Sequence, residues 1–249
     1  MRELATSVSA GVQAAWREKE EERIRSVYAH RDLSGKAAFY TWWNPDVLLN
    51  LYWFHSAVAA CIRRAGIDDL TKLRILDVGC GSGGWLRQLM AWGASAQNLH
   101  GIDLLPDRID GARQLAPGID YRVGSGWQLP FHDAVMDVVT ANTVFSSIIN
   151  ADARQRLACE MARVLAASGH ILIFDFRISH PRNRDVTGIR KSEISRLFPG
   201  FLRYSRSLEL APPIARRVVP VAPALAVALE SFCPFLRTHA IHLLQRPDG

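Results

Sequence analysis

From Leu73 to Phe176 the chain alternates between short apolar runs and amphipathic stretches. The runs Leu73–Val78, Leu99–Asp103, Ile119–Val123, Met136–Ala141 and His170–Phe176 predict strands. Helical spacing separates them over Gly84–Trp92, Asp107–Ala116 and Asp152–Ala166. Strand, helix, strand at this interval predicts an α/β fold, a mostly parallel sheet with helices on both faces. The stretch FLRYSRSLEL then alternates like a half-exposed strand, and THAIHLLQ is expected as its antiparallel partner, which brings the sheet to seven strands.

The flanking segments pattern differently. Ser7 to His30, rich in Glu and Arg, predicts a polar helix with a solvated face. A second helix has clear punctuation: Asn44 as N-cap, Pro45 in the first turn, an apolar run Val47–Ile62, then Arg63, Arg64 and Gly66. Between them AFYTWWNP is aromatic and non-periodic, a connection that packs over something. The division expected is an N-terminal helical cap over residues 1–66 and one main domain over 67–249. An insert around 211–237 is apolar but broken by Pro212, Pro213, Pro220, Pro223 and Pro234, and it carries Glu230, which argues against a membrane-spanning helix.

Charge changes the picture only at one end. The formal net charge is +6, yet from Phe176 onward twelve Arg and Lys face five Asp and Glu, so the last third holds all of the positive excess. Such a skew suits an anionic partner, a phosphate, a carboxylate or a membrane surface, or else a solvated face. Four cysteines without CxxC spacing argue against a zinc site or a disulfide framework. The stretch MRELATSVSAGVQAAW has no basic start followed by an apolar core, so a cytoplasmic location is expected and no metal is called.

The candidate chemistry lies in LRILDVGCGSGGWLRQL, where a strand enters a glycine turn and a helix follows. Glycine permits positive φ and lets a ligand reach the backbone, and the helix start presents free N–H groups. Gly79-x-Gly81-x-x-Gly84 also satisfies the dinucleotide fingerprint, with Asp103 ending the next strand beside a ribose. A nicotinamide-dependent oxidoreductase is therefore one reading. Asp77 favours another, because a carboxylate entering the turn repels a pyrophosphate and suits a ligand that carries positive charge.

The D-x-G-x-G-x-G stretch with GID at the second strand end resembles the nucleotide-binding region of class I S-adenosylmethionine-dependent methyltransferases, of the small-molecule, methyltransferase type 11-like kind. The likeness runs from about Leu73 to His170, through VGSGWQLPFHDAVMDVVTANTVF and MARVLAASGHILIFDF. It implies a Rossmann-like fold and S-adenosyl-L-methionine as cofactor. Gly79, Cys80 and Gly81 would lie against its methionine part, with Asp77 orienting the amino end. Asp103 would accept both ribose hydroxyls and Leu104 would pack on the adenine. Ser125, Gly126 and Trp127 would meet the adenine edge, Asn142 would line the methionine tail, and Tyr40 would reach the carboxylate from the covering segment. Two departures stand out: Ser125 replaces an adenine-contacting Asp, and Ser146-Ser147 stand where relatives often carry histidines.

Methyl transfer needs alignment and exclusion of water, and a base only where the acceptor must lose a proton. Asp175 and His180, at and after the fifth strand, are the candidate catalytic residues. The insert, which holds Arg216 and Arg217, is expected as a lid over the acceptor, and Arg177, Arg182, Arg184 and Arg190 follow the fifth strand. A small molecule or glycan acceptor, anionic or lipid-linked, fits those arginines, with O-methylation as the leading chemistry. C-methylation of a quinone-like or lipid acceptor is the alternative, and a non-catalytic methyltransferase-like partner subunit is a third reading. Nucleic acid is disfavoured, since ANTVF stands where base-modifying relatives carry (N/D)-P-P-(Y/F).

Overall fold

The computed structural model describes residues 16–30, 43–179 and 183–247. A helix over residues 16–30 (α1) precedes α2 (Pro45–Arg64). The Asn44 side chain accepts from the Asp46 N–H at the start of α2, and Arg63 and Arg64 close its last turn. Trp53, Ala57, Val58 and Cys61 form its buried stripe, packed on one face of the sheet.

The alternation then unfolds as β1 (Ile75–Val78), α3 (Gly84–Ala91), β2 (Leu99–Asp103), α4 (Pro106–Leu115), β3 (Asp120–Val123), β4 (Met136–Asn142), α5 (Ala151–Val164) and β5 (Leu165–Phe176). After these come α6 (Lys191–Leu197), β6 (Leu202–Leu210), α7 (Pro212–Val218), α8 (Pro223–Phe232) and β7 (Arg237–Gln245). The seven strands lie in the order β3-β2-β1-β4-β5-β7-β6. β7 runs antiparallel to both β5 and β6, and the pairings from β3 across to β5 are parallel.

The expected sheet is therefore present, with boundaries moved by a few residues. The largest move is at β5, which begins at Leu165 because Leu165 pairs with Met136 before the register shifts ahead of His170. Apolar side chains on the two sheet faces form separate clusters. Leu76, Val139, Ile171 and Ile173 meet α5 and α6, while Leu172, Phe174, Ile241 and Leu243 meet α2, α7 and α8. Each fully buried Leu or Ile contributes about 1.5–3 kcal/mol.

Strand order reverses beside β1. The chain steps outward from β1 to β2 to β3, then returns to lay β4 on the other side of β1. Outside the carboxyl ends of the strands at such a reversal the crossovers diverge and leave a crevice.

Candidate active site

Asp77 sits in the middle of that crevice's floor, paired in register with Gly101 of β2 and Thr140 of β4. Its Oδ1 accepts from the Thr140 hydroxyl at 2.6 Å, and the Asn142 amide lies 3.4 Å away. Burial pushes the Asp77 carboxyl up to about 7; the Thr140 hydrogen bond pulls it down and the Asp103 charge adds to the rise. Asn142 Oδ1 is buried without a hydrogen-bond partner.

Beyond Asp77 the chain turns through Gly79, Gly81 and Gly83 at φ of 71°, 53° and 72°. The Gly79 and Cys80 N–H groups both donate to the Ile102 carbonyl, at 2.8 and 3.0 Å, which ties the bend to β2. The glycines answer to different neighbours. A Cβ on Gly79 would strike Val144, and one on Gly83 would strike the Tyr121 hydroxyl. At Gly81 the nearest atom would be an Arg108 nitrogen at 4.0 Å, so that backbone faces open space. Gly83 caps α3 without any side-chain hydrogen bond to its first N–H groups.

Asp103 closes the other wall. Its Oδ2 accepts from Gly81 N–H at 2.9 Å and its Oδ1 from Leu105 N–H at 3.0 Å, so the second carboxylate braces the bend. Cys80 is buried, and burial raises its thiol pKa, with Asp77 and Asp103 adding to the shift. The thiol is a packing group. Gly126 is small for a structural reason, since a Cβ there would meet Leu157 and Val78 at 2.7 and 2.9 Å. The Trp127 indole is buried away from the bend and donates to Glu21 at 3.1 Å. Ser125 is partly exposed and its carbonyl accepts from Gln128 N–H.

The loop after β4 is strained. Thr143 has φ of 56°, costly for a β-branched residue, and is held by its N–H on the Phe174 carbonyl at 2.7 Å. Asp175 lies beneath that loop, buried, with Oδ2 accepting from Ser146 N–H at 3.1 Å and Oδ1 from Phe176 N–H at 2.8 Å. Burial raises its pKa; the bonds from Ser146 and Phe176 and the nearby His239 oppose the rise. Tyr40, His180 and Arg182 lie outside the described residues.

The solvated face expected for the N-terminal helix is a correction to be made. Glu20 of α1 is buried, pairs with Arg23 at 2.8 Å and accepts from Ile149 N–H at 2.8 Å. Arg23 reaches the Ser147 carbonyl, Tyr28 the Ser147 hydroxyl, Arg25 the Leu104 carbonyl at 2.6 Å, and Glu21 the Trp127 indole. A helix that looks polar all round thus clasps the loops after β2, β3 and β4. Ile24, amid its charges, packs into the core with Trp16 and Tyr28 against the same cluster, and these apolar positions were the signal available.

At the end of the insert, Arg177 donates to the carbonyls of Pro234 and Arg237, tying β5 to it. Arg184, Arg190, Arg216 and Arg217 are exposed. The buried charged side chains include Asp46, Asp175, Glu209 and Glu230.

Residues 75–169 match the family model described as a methyltransferase domain. Among curated proteins, the ubiquinone/menaquinone biosynthesis C-methyltransferase UbiE of Campylobacter jejuni is 23% identical over 121 residues, 47% of this chain and 50% of that protein. The chain thus spans about half the length of that relative. Among solved structures, the YcgJ protein of Bacillus subtilis superposes with a TM-score of 0.56 at 16% identity, covering 78% of this chain and 100% of that one. A chain in the complex of the Haloferax volcanii Trm112 methyltransferase activator gives 0.59 at 20% identity, covering 84% and 96%. These two likenesses show the fold.

Proposed function

We propose that this chain, whose residues 75–169 match a methyltransferase domain, binds S-adenosyl-L-methionine at the glycine bend and methylates a small acceptor beneath the α7–α8 insert. The observation that carries the reading is the pair of carboxylates flanking a backbone that opens to space at Gly81. A cationic sulfur nucleoside offers an ammonium and a sulfonium to one, and two ribose hydroxyls to the other. The residues present fit that group: Asn142 Oδ1 is a buried acceptor awaiting a donor, and a Cβ at Gly81 would occupy the space a ligand needs.

Within this reading S-adenosyl-L-methionine supplies an electrophilic methyl group. Asp77 holds the amino end in its ionised form, Asn142 lines the tail, and Asp103 takes the ribose. Ser125 and the main chain at Gly126 and Trp127 face the adenine, with Leu104 against its ring. Cys80 acts through its backbone. The α1 clasp on the loops after β2, β3 and β4 closes the crevice and excludes water. Asp175 acts as a positioning residue, because its Oδ2 holds Ser146 in the loop after β4 while its Oδ1 accepts from Phe176 N–H.

The acceptor is a small molecule, and the insert is its lid. Exposed arginines suit an anionic group on the acceptor. A second reading, a lipid or quinone-like acceptor, is favoured by Val221, Phe232 and Phe235 of the insert, which are 81%, 84% and 76% exposed beside Arg216 and Arg217. The resemblance to UbiE points the same way. Among the described residues no helix is long and apolar enough to cross a membrane, so contact with lipid would be peripheral.

Two measurements test the proposal. Titration calorimetry should show saturable binding of S-adenosyl-L-methionine and none of NAD; binding of NAD alone would overturn it. Incubation with methyl-labelled cofactor and fractionated small molecules, glycans and lipids, read by mass analysis, should place label in one fraction. Label in the lipid fraction would select the second reading, and no label in any would favour a non-catalytic partner role.

A further inference from the structure

We infer that His239, oriented by Glu209, is the proton acceptor for the methyl acceptor, a role that rests on the methyl-transfer reading above. The two residues come from neighbouring antiparallel strands, and neither lies in the matched domain or in any motif the sequence displays. His239 Nδ1 is 2.9 Å from Glu209 Oε2, with the Thr238 hydroxyl 3.1 Å from the same nitrogen. Both residues are 7% exposed. A carboxylate at Nδ1 fixes the proton on that nitrogen and leaves the Nε2 lone pair available. No described residue bonds to Nε2.

The ring is held in place from two sides. Phe174 lies nearly parallel to it at 12° and 5.1 Å between centroids, and Phe176 lies 4.0 Å away. Glu209 has φ of 64°, a left-handed backbone inside a strand, which persists only where the surroundings impose it. That strain aims the carboxylate. Asp46, from the first turn of α2, feels both the Glu209 carboxylate and the Arg216 guanidinium of α7, and its Oδ1 is buried without a hydrogen-bond partner. Asp175 of β5 feels the imidazole from the neighbouring strand.

Position supports use in the reaction. Asn142 pairs in register with Phe174, and Phe176 with His239, so the imidazole stands at the carboxyl edge of the sheet. Two strand spacings separate it from β4, about 10 Å, the room an acceptor needs between imidazole and methyl group. As an acceptor oxygen bonds to the methyl carbon, its proton passes to Nε2 and the carbon–sulfur bond breaks with the electron pair left on sulfur. Glu209 stabilises the imidazolium, which then releases the proton to water. A base here selects acceptors whose nucleophile carries a removable proton, a hydroxyl or a weakly acidic carbon, over tertiary amines and thioethers.

The test needs no identified acceptor. Imidazole nitrogen resonances are recorded for the wild-type chain and for Glu209→Asn, whose side chain tolerates positive φ, with and without S-adenosylhomocysteine. Cofactor occupancy is followed separately by calorimetry. The wild-type His239 should carry its proton on Nδ1, lose that preference in Glu209→Asn, and shift on addition of S-adenosylhomocysteine. His170, six residues before Phe176 on β5, should not shift. A proton on Nε2 in the wild type, or an unmoved His239 in a chain that calorimetry shows to be loaded, would overturn the inference. Should Glu209→Asn not fold, the wild-type spectra alone decide. A chain that binds no S-adenosylhomocysteine overturns the site reading itself, and the base with it.

Discussion

At the ends of β1 and β2 the functional groups come from one continuous stretch: Asp77, the glycine bend, then Asp103 and Leu105 a single helix later. At the ends of β5, β7 and β6 they come from far apart, with Asp46 from α2, Asp175 from β5, Glu209 from β6 and His239 from β7 converging in space. On the proposed reading, the first half would hold a ligand with backbone N–H groups and two acids set by strand register. The second is held by side-chain ties over long sequence separations. A cofactor site built locally shows in sequence as a motif, whereas an acceptor site assembled across the sheet leaves no motif at all.

The comparison can be broken at its ties. Arg154 is 5% exposed and joins the Phe145 and Ile148 carbonyls, at 3.1 and 2.6 Å, to Glu193 of α6 at 2.8 Å. Arg154→Ala should cost about 3–5 kcal/mol in urea unfolding, because it removes a buried guanidinium and leaves two carbonyls and the partly buried Glu193 carboxylate without their donor. A loss below about 1 kcal/mol would mean that the wall after β4 does not depend on that long-range tie. On the cofactor side, Asp103→Ala should weaken S-adenosyl-L-methionine by about 1–3 kcal/mol, through loss of charged hydrogen bonds. An unchanged dissociation constant would mean that the ribose lies elsewhere. The smallest effect is expected at Ser125→Asp. A charge-assisted bond to the adenine amino group should tighten binding by about 1 kcal/mol, several-fold in calorimetry. Weaker binding would place Ser125 away from the ring.

The same contrast explains what the sequence could show. Sheet class, strand positions and the glycine bend were legible because period and spacing are local. Asn44, Pro45 and the two arginines mark α2 for the same reason. The role of α1 was not legible. Its charges look solvated in sequence, and only the placement of Glu20, Glu21, Arg23 and Arg25 against the loops after β2, β3 and β4 shows them as partners. The basic skew of the last third misleads in the opposite sense. Arg177 and Arg237 hold the insert to the sheet, Arg237 through Glu230 at 3.0 Å, so part of that charge is structural. Nothing in THAIHLLQ or FLRYSRSLEL announces that His239 and Glu209 meet, since antiparallel register is a property of the folded sheet.

The central claim is that Asp77 meets a cation. With its pKa raised by burial to about 7, Asp77 binds more protons in the folded chain than in the unfolded one. Its contribution to the stability of the free chain is therefore fully present below about pH 4 and lost as pH rises through about 7. A bound ammonium favours the ionised carboxylate, so binding should expel a proton and strengthen with rising pH. The decisive measurement is titration calorimetry of S-adenosyl-L-methionine in buffers of different ionisation enthalpy, from about pH 5.5 to about pH 7.5. The account predicts saturable binding with proton release at the acid end, affinity rising roughly tenfold or more across the range, and both effects lost in Asp77→Asn. Proton-silent binding of constant affinity, or no binding, would contradict it.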